Sequence, residues 1–321
     1  MTADTGPAAR GVRVAWESLP AGIQAGIERI CGAAVIHADS QPGGFSPGVA
    51  ARLTCNDHSR WFVKAVSAKA NPDSPGMHRR EAEVLRAIDP LIAAGRLAAP
   101  RLRGTLDKPP WVALVLDDIE GDHPALPWRN AELAEVLATL DGLTEALTPS
   151  PIAITSLAEQ FGEMFTGWQQ LSSSRARGTG RLDSWSIANL DLLVELERAW
   201  PAHAAGDTLV HADIRADNIL LTSGGPVVFD WPHACVGAAF SDLVFFAPSV
   251  AMQGGPEPGE LLTMTKAGRA ASRDAVMTTV CALAGFFTER SLARPPAGIP
   301  TVREFQAAQG AIARRWLATL L

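Results

Sequence analysis

The chain has 321 residues, 47% of them apolar, enough for two lobes around a sizeable core and too apolar for a disordered chain. A net charge of −6, with no Lys/Arg tract interleaved with aromatics, argues against a nucleic-acid binder. No segment supplies the roughly 18 uncharged apolar residues of a membrane span, the start MTADTGPAARG lacks a secretory pattern, and the scattered Cys31, Cys55, Cys235 and Cys281 suggest neither disulfides nor a zinc site, so a reduced, cytoplasmic protein is expected.

An amphipathic helix is expected around residues 21–31, followed by a strand at Val35-Ile36-His37. The turn-rich run Gln41-Pro42-Gly43-Gly44-Phe45-Ser46-Pro47-Gly48 then separates apolar strands at residues 49–53 and 61–66. Such a turn lets backbone N–H groups approach a phosphate, with the Ser46 hydroxyl near its tip, although Gly-Gly and Pro-Gly pairs also mark ordinary hairpins. In the second strand Lys64 sits among apolar neighbours, where an unpaired charge would be costly if buried. The helix expected over residues 79–94 offers Glu81 or Glu83 as its partner, unless the strand edge is exposed and all three face solvent. A further apolar run, Trp111 to Leu116, ends in Asp117-Asp118-Ile119-Glu120-Gly121, which by itself reads as a solvated turn after a core strand.

From Asn130 the pattern turns helical, over residues 131–147, 156–171 and 186–200, with a polar Ser/Arg/Gly connector at residues 172–180 that is a lid or a plain loop. Helices are also expected over 273–289 and 301–320. Charge divides along the chain. Residues 1–118 carry 14 basic and 12 acidic side chains, a balance of +2, whereas residues 119–321 carry 14 and 22, a balance of −8. A mildly basic half suits phosphates and an acidic half a cationic acceptor, and ordinary solubilising surface would look the same.

The most informative stretch is HADIRADNILLTSGGPVVFDW, His211 to Trp231. A polar loop carrying Asp213 and Asn218 enters the apolar run Ile219 to Leu221, and Ser223-Gly224-Gly225-Pro226 turns the chain back through Val227-Val228-Phe229. A hairpin returns Asp230 beside Asn218, so that one carboxylate and one amide oxygen face a common point. That set suits Mg²⁺, which is hard and takes only one or two protein ligands beside phosphate and water. Asp213 stays free to accept a hydrogen bond from an attacking hydroxyl and aim it at a phosphoryl group. Each residue alone reads as readily as a cap or turn residue, and His211 is expected to brace backbone carbonyls and take no part in the chemistry.

The stretch resembles the kinase-like aminoglycoside phosphotransferase and choline kinase group, whose pattern is His-Gly-Asp, four residues, Asn, then a hairpin ending in Asp. Ala212 stands where that pattern has Gly, and Pro232-His233 follows Asp230-Trp231 where an acidic residue is common. The resemblance spans roughly residues 43–243. It implies an α+β, two-lobed protein-kinase-like fold with a five-stranded antiparallel sheet and one main helix in the small lobe, residues 1–118, and a mainly helical lobe, residues 119–321, with ATP and Mg²⁺ between them.

It further implies that Lys64 binds the α- and β-phosphates and pairs with Glu81, and that main-chain groups of Asp117 and Ile119 bind the purine edge with Leu116 walling the pocket. Asn218 and Asp230 would hold the metal, Asp213 would act on the acceptor, and Asp242 would support the loop. The implied reaction moves the γ-phosphoryl group of ATP to a small-molecule hydroxyl, on an aminoglycoside or another amino-containing metabolite; Glu257 and Glu260, in the Gly- and Pro-rich segment after the metal hairpin, are candidate acceptor contacts. Three rivals stand against it: a protein kinase, for which no Ala-Pro-Glu segment follows Asp230; a non-catalytic nucleotide-binding module; and a metallohydrolase using His211, Asp213 and His233.

Overall fold

The computed structural model describes residues 13–41, 48–173, 182–296 and 301–321. The turn expected to carry Ser46 and most of the 172–180 connector lie outside the described residues.

The first helix, α1 (Ala21–Cys31), precedes β1 (Val35–Ser40), β2 (Val49–Cys55) and β3 (Arg60–Ser67); α2 (Ser74–Ala93), β4 (Leu102–Lys108) and β5 (Trp111–Asp117) complete the sheet region. The five strands form one antiparallel sheet in the order β1-β2-β3-β5-β4. Strand alternation sorts the side chains onto two faces. Ala51, Leu53, Val63, Ala65, Ala113 and Val115 pack against Ile23 and Ile27 of α1 in one cluster. The other face carries Ala50, Arg52, Phe62, Lys64, Val66 and Leu116 and lines the central cavity. Lys64 lies opposite Ala50 on one side and Leu114 on the other. On α2, His78, Glu81, Ala82, Leu85 and Ile88 are buried at three- and four-residue spacing, so that its apolar turns join the main core while Glu81 reaches the sheet.

The rest is mainly helical. Helices α3 (Asn130–Ala146), α4 (Leu157–Phe161), α5 (Gly167–Ser173), α6 (Ser184–Ala188) and α7 (Leu190–His203) lead to β6 (Thr208–Val210). The hairpin β7 (Ile219–Thr222) and β8 (Gly225–Val228) follows, then β9 (Cys235–Gly237), which pairs with β6. Helices α8 (Ser241–Met252), α9 (Pro258–Thr263), α10 (Lys266–Ala270), α11 (Arg273–Ser291) and α12 (Val302–Leu320) close the chain. The helix expected over 156–171 is two short ones. The chain leaves helical geometry between Phe161 and Gly167. At the start of α5 a Cβ on Gly167 would stand 2.1 Å from the Gly285 carbonyl oxygen, so α5 meets α11 backbone to backbone only because glycine stands there. The helix expected over 186–200 likewise splits, at Asn189, whose side-chain nitrogen donates to the Trp185 carbonyl at 2.8 Å. One core runs from α2 and β5 through Trp168, Trp200, Trp231 and Phe246 to α12. No helix among the described residues is long and apolar enough to cross a membrane.

Candidate active site

The hairpin and the loop before it are held by a small set of polar contacts. Asp242, in the first turn of α8, accepts hydrogen bonds from the backbone N–H of His211 at 2.9 Å and of Ala212 at 2.7 Å. Buried His211 donates Nε2–H to the Phe229 carbonyl at 3.1 Å and takes the Asp213 N–H on Nδ1 at 3.2 Å. Those two roles fit a neutral imidazole, and burial lowers its pKa to about 4. His211 thus braces the loop as expected. Ala212 has φ +62° and Asp230 φ +70°, left-handed conformations for residues with a side chain. The Phe229 N–H donates to the Asn218 carbonyl at 3.1 Å, extending the register Ile219↔Val228 by one rung, so Asp230 returns next to Asn218.

Asn218, Asp230, Lys64, Glu81, Leu116, Asp117 and Ile119 all line one cavity of about 470 Å³, between the sheet and the hairpin. Lys64 bridges two carboxylates, with Nζ 2.6 Å from Glu81 Oε1 and 2.7 Å from Asp230 Oδ1. Burial opposes the Lys64 charge, and the two acids more than restore it, leaving its pKa raised. They do not share the benefit equally. Burial raises the pKa of the enclosed Glu81 in spite of Lys64, whereas Asp230, with 29% of its side chain exposed, is held below the ordinary carboxylate range because Lys64 outweighs the effect of burial.

Asp213 sits beside this group. Its carboxylate accepts from Arg215 Nη1 at 2.7 and 2.9 Å and from Asn218 Nδ2 at 3.2 Å, and the same Asn218 nitrogen donates to the Asp213 carbonyl at 2.8 Å. Burial raises the Asp213 pKa while Arg215 pulls against it. With its nitrogen engaged, Asn218 presents its oxygen as the atom for a cation. Together with an ionised Asp230 this is a donor set that fits Mg²⁺.

Several cavity residues carried no signal when read alone: Arg13, His78, His123 and Asp217 line it as well. Arg215 also binds Asp217, at 2.9 and 3.0 Å. The two polar residues inside the loop, at second and fourth place after Asp213, were the available clue. At the far end of the cavity Arg52 donates to the Ile119 carbonyl at 3.1 Å, and the Asp117 N–H is engaged by the Arg101 carbonyl at 3.0 Å. Glu257 and Glu260, expected near the acceptor, are exposed at the start of α9 and are not among the residues lining this cavity.

The chain matches the phosphotransferase enzyme family over residues 42–275. It belongs to that family. A comparison with curated protein sequences finds no match. Among solved structures, similarity extends to choline kinase LicA from Streptococcus pneumoniae, with TM-score 0.57 at 12% identity over 92% of this chain and 98% of that one. A thermostable mutant of the aminoglycoside phosphotransferase APH(4)-Ia, in a ternary complex with ADP and hygromycin B, gives 0.57 at 12% over 93% and 97%. Amicoumacin kinase hAmiN, in complex with AMP-PNP, Ca²⁺ and Ami, gives 0.55 at 13% over 84% and 85%. The fold of this phosphotransferase is therefore the two-lobed kinase-like one, with an antiparallel sheet lobe and a helical lobe, and the protein is a small-molecule kinase.

Proposed function

We propose that this phosphotransferase moves the γ-phosphoryl group of ATP to a hydroxyl of an amino-containing small molecule, an aminoglycoside or a metabolite of that kind. The observation that carries the reading is Lys64 joining Glu81 and Asp230 at the wall of a cavity that Asn218 also lines. Residues 1–118 would form the nucleotide lobe and residues 119–321 the catalytic and acceptor lobe, in a cytoplasmic protein.

The contacts support a role for each residue. Lys64, positioned by Glu81, lies where it can meet the α- and β-phosphates. Asn218 and Asp230 would hold Mg²⁺, which when bound neutralises charge on the phosphates. Asp213 takes the hydrogen bond of the acceptor hydroxyl and orients its oxygen for in-line attack, a positioning task more than one of basicity. At the purine end the Asp117 N–H and the Ile119 carbonyl are already engaged, which points to the Asp117 carbonyl and the Ile119 N–H as the edge-binding pair beside Leu116. Solved relatives of this fold hold ADP or AMP-PNP together with hygromycin B or amicoumacin, which supports both the nucleotide and the class of acceptor.

The test is a nucleotide-consumption screen over amino-sugar antibiotics, amino alcohols and plain sugars, with mass spectrometry of the products. A phosphorylated acceptor formed by the wild type and not by Asp213→Ala supports the assignment. Equal turnover by that variant removes Asp213 from the mechanism.

A further inference from the structure

Lys64 divides its charge between two carboxylates, and Arg52, the next cation along the cavity, is committed to Asp118 at 3.3 Å and to the Ile119 carbonyl. The lining also includes Glu81, Asp117, Asp118, Asp217 and Asp230. Even with a metal ion on Asn218 and Asp230, a site walled by so many acids is better matched to a polyphosphate when another side-chain cation stands near Lys64.

Arg13 is placed to be that cation. The segment before α1 runs alongside the start of β2: Arg13 forms a parallel bridge with Gly48, and the Val14 N–H donates to the Gly48 carbonyl at 3.0 Å. Gly48 itself is pressed onto β3, since a Cβ there would stand 2.5 Å from the Ala65 carbonyl oxygen. The adjacent rungs are Val49↔Ala65 and Ala50↔Lys64, so Arg13 lies level with the Lys64 end of the cavity and away from Leu116 and Ile119. Its Nε–H donates to the Gln41 carbonyl at 3.1 Å, which fixes the guanidinium on the cavity wall. Burial lowers the Arg13 pKa and the Asp230 carboxylate raises it, so the two charges interact.

We infer that Arg13, from the segment preceding the first helix, is a second phosphate-binding cation of the nucleotide site. The inference rests on reading the cavity as the ATP site. A planar guanidinium suits two phosphate oxygens at once, which the Lys64 ammonium cannot offer. Arg13 therefore complements Lys64 and does not duplicate it.

Calorimetric titration of the full chain with adenosine, ADP and Mg-ATP, for wild type, Arg13→Ala and Arg13→Lys, tests the inference. Wild type should prefer ATP over adenosine. Arg13→Ala should weaken ADP and ATP about tenfold, the scale of one hydrogen bond to a charged group, and leave adenosine within about twofold. Arg13→Lys keeps the charge without the planar fork and should recover part of the loss. An equal loss for all three ligands, or Arg13→Lys no better than Arg13→Ala, would show that Arg13 only props the backbone at Gln41 and overturns the inference, as would no loss at all. A wild type that binds neither ADP nor ATP overturns the ATP reading itself, and this inference with it.

Discussion

Lys64 Nζ lies 2.7 Å from Asp230 Oδ1 across 166 positions of sequence, and the same nitrogen holds Glu81 at 2.6 Å. One ammonium therefore ties β3, α2 and the end of the β7–β8 hairpin together. Removing it leaves the buried Glu81 and the half-buried Asp230 without their common partner, which costs up to about 3–5 kcal/mol, the upper figure belonging to a fully buried pair. Lys64→Met should accordingly lose both turnover and stability. The pH dependence carries the diagnosis. In the wild type Asp230, held below the ordinary carboxylate value, contributes stability at neutral pH that is lost only in strong acid. In Lys64→Met burial acts on both acids unopposed by Lys64, so they are protonated more readily and the variant should recover stability as pH falls from 8 to 5.5. Thermal melts at the two values decide it: a stability gap to wild type that stays the same at both would contradict the assignment.

Asp213 offers a cleaner separation of binding from chemistry. Asp213→Asn keeps the shape and can still meet Asn218, but its neutral amide is a weaker acceptor for the hydroxyl's hydrogen bond than a carboxylate and cannot take up the proton. Turnover should fall by roughly 10²–10⁴, as for loss of a positioned acid–base group, with the KM for ATP little changed. Arg215→Ala should lower turnover as well, because it releases both Asp213 and Asp217 from the guanidinium that fixes them. Steady-state kinetics that show the loss in the KM for ATP, with turnover intact, would move Asp213 from the acceptor side to the nucleotide side.

The sheet and the hairpin were legible because apolar runs bounded by turn residues mark strands locally. Short apolar runs marked β2, β3 and β5, and Ser223-Gly224-Gly225-Pro226 marked the turn, although β8 begins at Gly225 and ends at Val228, ahead of Phe229. Strand β4 was hidden by its polar sequence LRGTLDK, which an edge position tolerates, and the three-residue β6 and β9 are too short to show any period. The contact that seats α5, Gly167 against Gly285, joins residues more than a hundred positions apart and leaves no local mark. Lys64, Glu81, Asn218 and Asp230 could be chosen from one chain pattern. Arg13 and His78 could not, since nothing local distinguishes an Arg or a His that faces a cavity from one that faces water.

Asp242 should set an acid limb in the activity. Burial pushes its carboxyl up to about 6 even though it accepts the N–H groups of His211 and Ala212. Its ionised form is the better acceptor, so protonation loosens the backbone that carries Asp213. The two observables then move in opposite directions. A carboxyl whose folded pKa is raised favours the folded state increasingly as pH drops through about 6, so stability from this group grows while kcat/KM declines. Asp242→Asn should abolish the limb and lower the plateau. If the limb persists unchanged in that variant, its origin is Asp213, the other buried acid of the loop whose pKa is raised.

Ala212, whose own N–H is the second of the two that Asp242 holds, occupies a left-handed backbone position, φ +62°. Alanine there is strained by about 1–2 kcal/mol, and glycine would relieve this while adding about 0.5–1 kcal/mol of chain entropy to the unfolded state. Ala212→Gly should therefore be neutral or up to about 1 kcal/mol more stable, a small margin set by those two opposing terms. Its effect on activity follows from the same geometry. The Asp242 bonds fix the loop whether or not a Cβ is present, so turnover should stay within about twofold of wild type, since the Ala212 side chain supplies no group to the reaction. Urea unfolding and kcat together provide the check. A loss of more than about 1 kcal/mol would mean that the buried Ala212 methyl fills space the loop needs, and that its packing outweighs the backbone strain.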